Sequence, residues 1–293
     1  MEKATTSDGI QLCYESVGEG APIVFVHEFG GNYWSWEPQV NHFARRFRCL
    51  TFAARGYAPS DIPQEVDLYS QARAADDIVD VMDAAGIEKA HLVGLSMGGF
   101  ACIHAVIRHP DRVLSVTAAG TGYGAEKQHE EYFRGVSREV AHNFLEQGAE
   151  KFASIYAEGA SRVQFQIKDP KGWQLFADRL AKHASTGAAN TMLGVQARRP
   201  SLYDLEEQLG RIDCPVLVMA GDEDDHCLQP GIFLKRSISR CGLAILPKSG
   251  HTLNLEEPTL FNRILEDFLF DAAAGRWSQR DPRANPAQIM RTD

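Results

Sequence analysis

The run Gly94-Leu95-Ser96-Met97-Gly98 carries the sharpest chemical signal in the sequence. It stands between a short apolar run, His91–Val93, and a helix-period segment, Met97–Arg108. That context is what a strained strand-to-helix turn requires. Backbone segments crowd two positions before and two after the serine, so both positions demand glycine, and Gly99 lets the helix pack closely. Such a turn exposes Ser96 Oγ above the sheet edge. It also aims the Met97 N–H, at the helix start, where an oxyanion would develop. The chemistry implied is nucleophilic attack on a carbonyl carbon.

A serine nucleophile needs a base. Of the ten histidines, His42, His129, His142 and His183 fall on helix-period segments with polar neighbours, while His104 and His109 belong to the segment after the serine. His251 differs: it follows the strand-like run Leu243–Leu246 and a Pro-Lys-Ser-Gly turn, ahead of the last helix. A loop at the carboxyl end of a late strand can bring its imidazole to Ser96. The third group should be a carboxylate on another strand end, accepting the imidazole Nδ1–H and fixing its tautomer. The cluster so placed is Gly221-Asp222-Glu223-Asp224-Asp225, directly after Val216–Ala220. Asp222, Asp224, Asp225, His226 and Cys227 also invite a metal reading. Consecutive residues after a strand cannot all face one ion, and no second ligand group stands out elsewhere, so neither metal nor cofactor is expected. Cys227 has no base placed for it.

The elements that must position these groups follow from periodicity. Strand-like runs at Ile23–His27, Cys49–Ala53, His91–Val93 and Val113–Ala118 alternate with helical segments at Trp34–Phe47, Asp67–Ala85 and Met97–Arg108. That alternation predicts βαβ units and a mostly parallel sheet. Thr5–Val17, with a turn at Ser7-Asp8-Gly9, reads as an antiparallel hairpin on the sheet edge. From Tyr123 to Tyr203 strand-like runs vanish and helical spacing takes over, as in Tyr132–Tyr156 and Trp173–His183. After Pro215 the alternation returns, with a helix near Ile232–Ile238 and another from Leu255 to about Ala274. The reading is a core of 1–122 and 204–274, a helical insertion of 123–203 over the carboxyl ends of the strands, and a tail of 275–293 that is loose or wrapped on the surface.

Composition bounds the partners. A net charge of −9 argues against a nucleic-acid backbone or an anionic membrane surface. No apolar run approaches the ~20 residues of a membrane span, and the polar start from Met1 to Gly9 lacks leader character. Six scattered cysteines without a CxxC pair read as small buried hydrophobes, so a cytoplasmic, reduced protein is expected, as monomer or homodimer. The partner is then a small-molecule substrate.

These motifs together resemble the α/β-hydrolase superfamily from His27 to about Phe268. The matching pieces are His27-Glu28-Phe29-Gly30-Gly31, Arg55-Gly56-Tyr57-Ala58-Pro59-Ser60, Gly94 to Gly99, Gly221-Asp222-Glu223-Asp224, and Ser249-Gly250-His251 followed by Glu256-Glu257-Pro258. The chain order serine, acid, histidine is the order of that superfamily. The resemblance implies a mostly parallel sheet flanked by helices and capped by the helical insertion. It further implies Asp224 as triad acid, with Asp222 or Asp225 as fallback, and the Phe29 and Met97 N–H groups as oxyanion hole. Two departures stand out. Glu28 replaces the usual glycine, and if it points inward it should disfavour anionic substrates or perturb the base. Ala53 and Ala58 replace the usual Asp and Gly of the arginine loop. Tyr123, Tyr132, Phe133, Trp173 and Phe176 could line an acyl pocket or form the insertion's own core; Glu28, Tyr123 and Trp173 are taken as pocket candidates. Six arginines of the insertion (134, 138, 162, 179, 198, 199) read mainly as solvated surface, with one a candidate clamp for a substrate carboxylate.

The function expected is hydrolysis of a carboxylic ester or lactone through an acyl-enzyme. A serine nucleophile disfavours the haloalkane dehalogenase and epoxide hydrolase branches of the superfamily. The rivals are carbon–carbon bond hydrolysis, amide hydrolysis or cofactor-free perhydrolysis on the same scaffold, and a slow-turnover ligand receptor. Carbon–carbon hydrolases of this superfamily tend to carry a Ser-Gly-Pro-Gly oxyanion loop, which Glu28-Phe29-Gly30-Gly31 does not match.

Overall fold

The computed structural model describes residues 1–284. Eight strands form one sheet: β1 (Glu2–Thr5), β2 (Gln11–Val17), β3 (Ala21–Val26), β4 (Phe47–Phe52), β5 (Ala90–Leu95), β6 (Val113–Ala119), β7 (Val216–Gly221) and β8 (Cys241–Leu246). Their order is β1-β2-β4-β3-β5-β6-β7-β8. β1 and β2 pair antiparallel at the edge, as the hairpin reading expects, and β4 to β8 run parallel with β3 between β4 and β5. The strand order reverses between β3 and β5, the place where open α/β sheets bind ligands at their carboxyl ends.

The helices are α1 (Glu37–Phe43), α2 (Gln71–Ala84), α3 (Met97–Arg108), α4 (Glu130–Gln147), α5 (Ala149–Ala157), α6 (Val163–Lys168), α7 (Pro170–Leu180), α8 (Ser185–Asn190), α9 (Glu206–Gly210), α10 (Asp225–Ser237), α11 (Leu253–Glu256) and α12 (Pro258–Ala273). α2, α3 and α10 cover one face of the sheet, burying Ile78, Val81, Phe100, Ile103 and Leu234 against Val24, Leu92 and Val218. α1 and α12 cover the other, burying Phe43, Phe261 and Leu265 against Ile23, Phe25 and Leu217. β3 and β5 to β7 are therefore buried on both sides, which is why they read as continuous apolar runs rather than alternating ones.

Several boundaries differ from the periodicity. The helix expected from Trp34 to Phe47 opens as a 3₁₀ turn, Tyr33–Trp36, and ends at Phe43 because Phe47 already begins β4. The helix expected from Asp67 starts at Gln71, where Ser70 accepts the Arg73 N–H as N-cap. α10 begins at Asp225, a full turn and more before Ile232, and carries Pro230 inside it. The last helix splits at Glu257-Pro258, since proline fits the first turn of a new helix better than the interior of an old one.

Between β6 and β7 the described chain is helical, α4 to α8 followed by a π-helical turn at Thr191–Gln196. These helices share one apolar cluster with residues of the strand-end loops: Phe144, Phe152, Phe165 and Phe176 pack with Phe29, Tyr57 and Met97. At the other end, Trp277 packs edge-on against Phe268, and its backbone carbonyl accepts from Arg240. The start of the tail is therefore fastened to the sheet edge rather than loose. The remainder of the tail expected at 275–293 lies outside the described residues beyond 284. All six cysteines are free, five of them buried.

Candidate active site

Ser96 joins β5 to α3 with φ 53° and ψ −116°, a left-handed conformation that side chains other than glycine rarely adopt. Its neighbours show why the turn needs glycine. A Cβ on Gly98 would come within 2.0 Å of the Val26 carbonyl oxygen, and one on Gly94 within 2.3 Å of Gly98. The first contact brings the elbow directly against the end of β3, which leads into the loop His27-Glu28-Phe29.

That loop is held by neutral histidine chemistry. His27 accepts the Ala54 N–H at Nε2 (3.1 Å) and therefore donates from Nδ1 to the Glu28 carbonyl (2.7 Å). Burial pushes its pKa down to about 4, so the ring stays uncharged at neutral pH. Tyr57 Oη donates to the Phe29 carbonyl at 2.9 Å, fixing the next peptide. The Phe29 ring packs edge-on against Phe144 and Tyr156, so the helices between β6 and β7 brace the loop from above. Neither the Phe29 N–H nor the Met97 N–H donates to an acceptor among the described residues.

His251 and Asp224 arrive from β8 and β7. The His251 Nδ1 donates to Asp224 Oδ2 at 2.8 Å, with the pair almost wholly buried. Burial pushes the Asp224 carboxyl upward, but the His251 imidazole beside it outweighs this and holds it below the usual value. Of the three acidic candidates, Asp224 is the one bonded to the histidine. Asp222 instead accepts the Ser249 N–H at 3.1 Å, bracing the loop that carries His251, and Asp225 opens α10. Gly120, just after β6, makes room for the ring: a Cβ there would stand 3.3 Å from His251 Nδ1, and its φ is +53°. Tyr123 packs edge-on against His251 with ring centroids 4.8 Å apart.

Ser96 and His251 line a single cavity of about 580 Å³, together with Phe29, Tyr123, Phe133, Tyr156, Met192, Arg162 and Arg199. Of the pocket candidates, Tyr123 lines it. Trp173 does not: its Nε1 donates to the Ala157 carbonyl at 2.8 Å and its ring joins the apolar cluster of the helices. Glu28 does not line it either. Its carboxylate is buried and paired with the Arg162 guanidinium, so it presents no free negative charge to substrate or base. Phe133 lines the cavity, Phe176 is interior to the cluster, and Tyr132 is exposed.

Two of the six arginines are not solvated surface. Arg162 is 1% and Arg199 9% exposed, and both line the cavity. Neither was legible as buried, because Arg162 has its partner, Glu28, 134 residues away and Arg199 donates to the Tyr123 carbonyl, 76 residues away. Gly120 and Tyr57 also escaped notice as site residues; Tyr57 belonged to a recognised motif, while Gly120 stood in an undistinguished Ala-Ala-Gly-Thr run.

The metal reading needs one correction. A distant group does join the acidic stretch, because Asp224, Cys227 and His251 offer ligand atoms within 4.8 Å of one another. Two of the three are bonded to each other, and burial pushes the Cys227 thiol well above its usual value, so it stays protonated. A protonated thiol and a histidine already committed to a carboxylate form a poor donor set.

The chain belongs to the α/β hydrolase fold family, which it matches over residues 21–258. It is an enzyme of that family, and its relatives include lactonases and other hydrolases. It is 30% identical to 3-oxoadipate enol-lactonase 1 of Acinetobacter baylyi over 253 residues, covering 86% of this chain and 90% of the other. It is 26% identical to 2-hydroxy-6-oxo-6-phenylhexa-2,4-dienoate hydrolase of Burkholderia cepacia over 284 residues, covering 92% and 93%. Its fold is similar to that of a thermophilic esterase from Thermogutta terrifontis, with a TM-score of 0.82 at 23% identity, over 92% of this chain and 98% of that one. No helix among the described residues is long and apolar enough to cross a membrane.

Proposed function

We propose that the protein hydrolyses a carboxylic ester or lactone of small to medium size, with Ser96 as nucleophile, His251 as general base and Asp224 as the orienting acid. The observation that carries this reading is the 2.8 Å bond between His251 and Asp224, two residues on different strand ends, in the cavity that Ser96 also lines. With Nδ1 committed to Asp224, the His251 Nε2 is left as the acceptor. Ser96 Oγ adds to the carbonyl carbon as its proton passes to Nε2. The carbonyl oxygen takes the negative charge, and the Phe29 and Met97 N–H groups receive it. Collapse expels the alkoxide, which takes the proton from His251 and leaves an acyl-Ser96 ester. Water then adds to that ester with its proton drawn to His251, and the acid and free Ser96 are released.

The helices of 123–203 serve as the cap of this site, since Tyr123, Phe133, Tyr156 and Arg162 come from that stretch. The enol-lactonase relative supports the lactone class, and the esterase neighbour supports the same scaffold. The test is sustained hydrolysis of short-chain 4-nitrophenyl esters, followed well past the first enzyme equivalent, by wild type and Ser96→Ala. The proposal expects steady turnover that falls by three orders of magnitude or more in the variant, on the order of the loss of a triad member. Comparable turnover by both proteins would overturn it. A stoichiometric burst alone would favour the receptor reading.

A further inference from the structure

The charged side chains along the cavity do not all find partners. Arg134 pairs with Glu130, and Arg162 with Glu28. Glu139 is exposed at the rim. Arg199 has no carboxylate partner among the described residues, although it is 9% exposed. Its Nη2 donates to the Tyr123 carbonyl, its guanidinium carbon lies 3.5 Å over the Phe100 ring centroid, and its buried Nη1 makes no hydrogen bond at all. The ionisable groups beside it are Cys227 and His104. Burial keeps both uncharged at neutral pH, pushing the thiol well up and the imidazole down to about 4. An unpaired buried guanidinium donor is costly, and on a cavity wall a bound anion can offset that cost.

Its place in the fold says how far that ligand extends. Phe100, which carries the guanidinium, follows Ser96 by four residues on α3, about 6 Å along the helix axis. Tyr123, whose carbonyl accepts from Arg199, packs its ring on His251. The cation is therefore joined to each reacting residue through one neighbour, on the wall of the same cavity.

We infer that Arg199 is a carboxylate subsite, and that the substrate is an anionic ester or lactone whose free carboxylate sits a short chain of two or three methylenes from the scissile carbonyl. The inference rests on the hydrolase reading above. A fork of guanidinium donors suits a carboxylate, and this one lines the cavity with no carboxylate of its own among the described residues. Phe100 beneath and the Tyr123 carbonyl beside it hold the fork in place before the ligand arrives, so little side-chain freedom is lost on binding.

The experiment compares mono-4-nitrophenyl glutarate with 4-nitrophenyl pentanoate, which differ in a terminal carboxylate against a methyl group. The readout is the ratio of their kcat/KM values in wild type, Arg199→Gln and Arg199→Lys. Glutarate binding by titration calorimetry is measured on the same three proteins, each first checked for a native circular-dichroism spectrum. The wild-type ratio should favour the glutarate ester, fall about 10- to 100-fold in Arg199→Gln, and be recovered only in part in Arg199→Lys, which keeps the charge but loses the fork and its stacking. Glutarate should bind wild type and lose at least tenfold in affinity to the Gln variant. An equal fall on both esters, which a merely structural arginine would produce, overturns the subsite, as does glutarate affinity that is absent in wild type or unchanged by the substitution. Glutarate binding lost in Arg199→Gln without turnover of either ester would keep the subsite and defeat the hydrolase reading instead.

Discussion

Glu28 and Arg162 form an ion pair in which both side chains are almost wholly buried, 2% and 1% exposed, and each comes from a different layer of the molecule. Glu28 sits in the loop whose next residue is Phe29, and Arg162 leads into α6. The guanidinium also lies over the Phe176 ring at 4.9 Å and near the Tyr156 ring at 5.9 Å. Nη1 donates to Oε1 at 3.0 Å and Nη2 to Oε2, the two-pronged geometry that favours arginine over lysine. With charge centres about 4 Å apart and an effective dielectric constant of about 20, the attraction is about 4 kcal/mol. Removing one partner leaves the other charge buried and alone, at a cost of about 3–5 kcal/mol. Removing both, as in Glu28→Gln with Arg162→Met, avoids that cost. The double variant should therefore be less destabilised than the sum of the singles by at least about 2 kcal/mol.

Urea unfolding at pH 8 of wild type, both single variants and the double variant supplies the cycle. Strict additivity of the two single losses, within about 0.5 kcal/mol, would refute the coupling.

Two further outcomes follow from other parts of the structure. Ser96 is held at φ 53°, so Ser96→Gly should be about 1 kcal/mol more stable than Ser96→Ala in chemical denaturation, since both lack the hydroxyl and only glycine relaxes the turn; equal stabilities would show an unstrained elbow. Burial holds His27, His91 and His104 down at about 4 against 6.5 for an exposed imidazole, so between those values the unfolded chain binds more protons than the folded one. Their contribution is complete above pH 6.5 and is lost as pH falls from there toward 4, by about 1.4 kcal/mol per unit for each fully excluded proton; the depressed Asp224 carboxyl extends the decline below 3.8. A denaturation midpoint that stays flat from pH 7 to 4.5 would contradict the buried neutral histidines.

What was legible in the sequence was local. The elbow, its glycines and α3 could be placed because a strand, a tight turn and a helix leave their marks within about fifteen residues. The parallel core strands were legible because burial on both faces favours runs of mostly apolar residues in them. Asp224 could not be separated from Asp222 and Asp225 by spacing alone, since the choice depends on which side chain the turn after β7 aims at His251. The partners of Glu28 and the burial of Arg162 and Arg199 were invisible for a related reason. They depend on how helices far along the chain come down on the strand ends, and no local period encodes that docking. Trp173 shows the opposite error, an aromatic at helical spacing that serves the packing of the helices instead of the cavity.

The most direct test of the account is to find the covalent intermediate. Wild-type protein mixed with 4-nitrophenyl acetate, quenched in acid within milliseconds and digested, should yield the peptide containing Ser96 with an added acetyl group. Asp224→Asn should acylate several orders of magnitude more slowly, because His251 loses the group that fixes its tautomer. Acetyl found on another side chain, or hydrolysis with no covalent adduct at any quench time, would contradict the assignment of Ser96 as nucleophile.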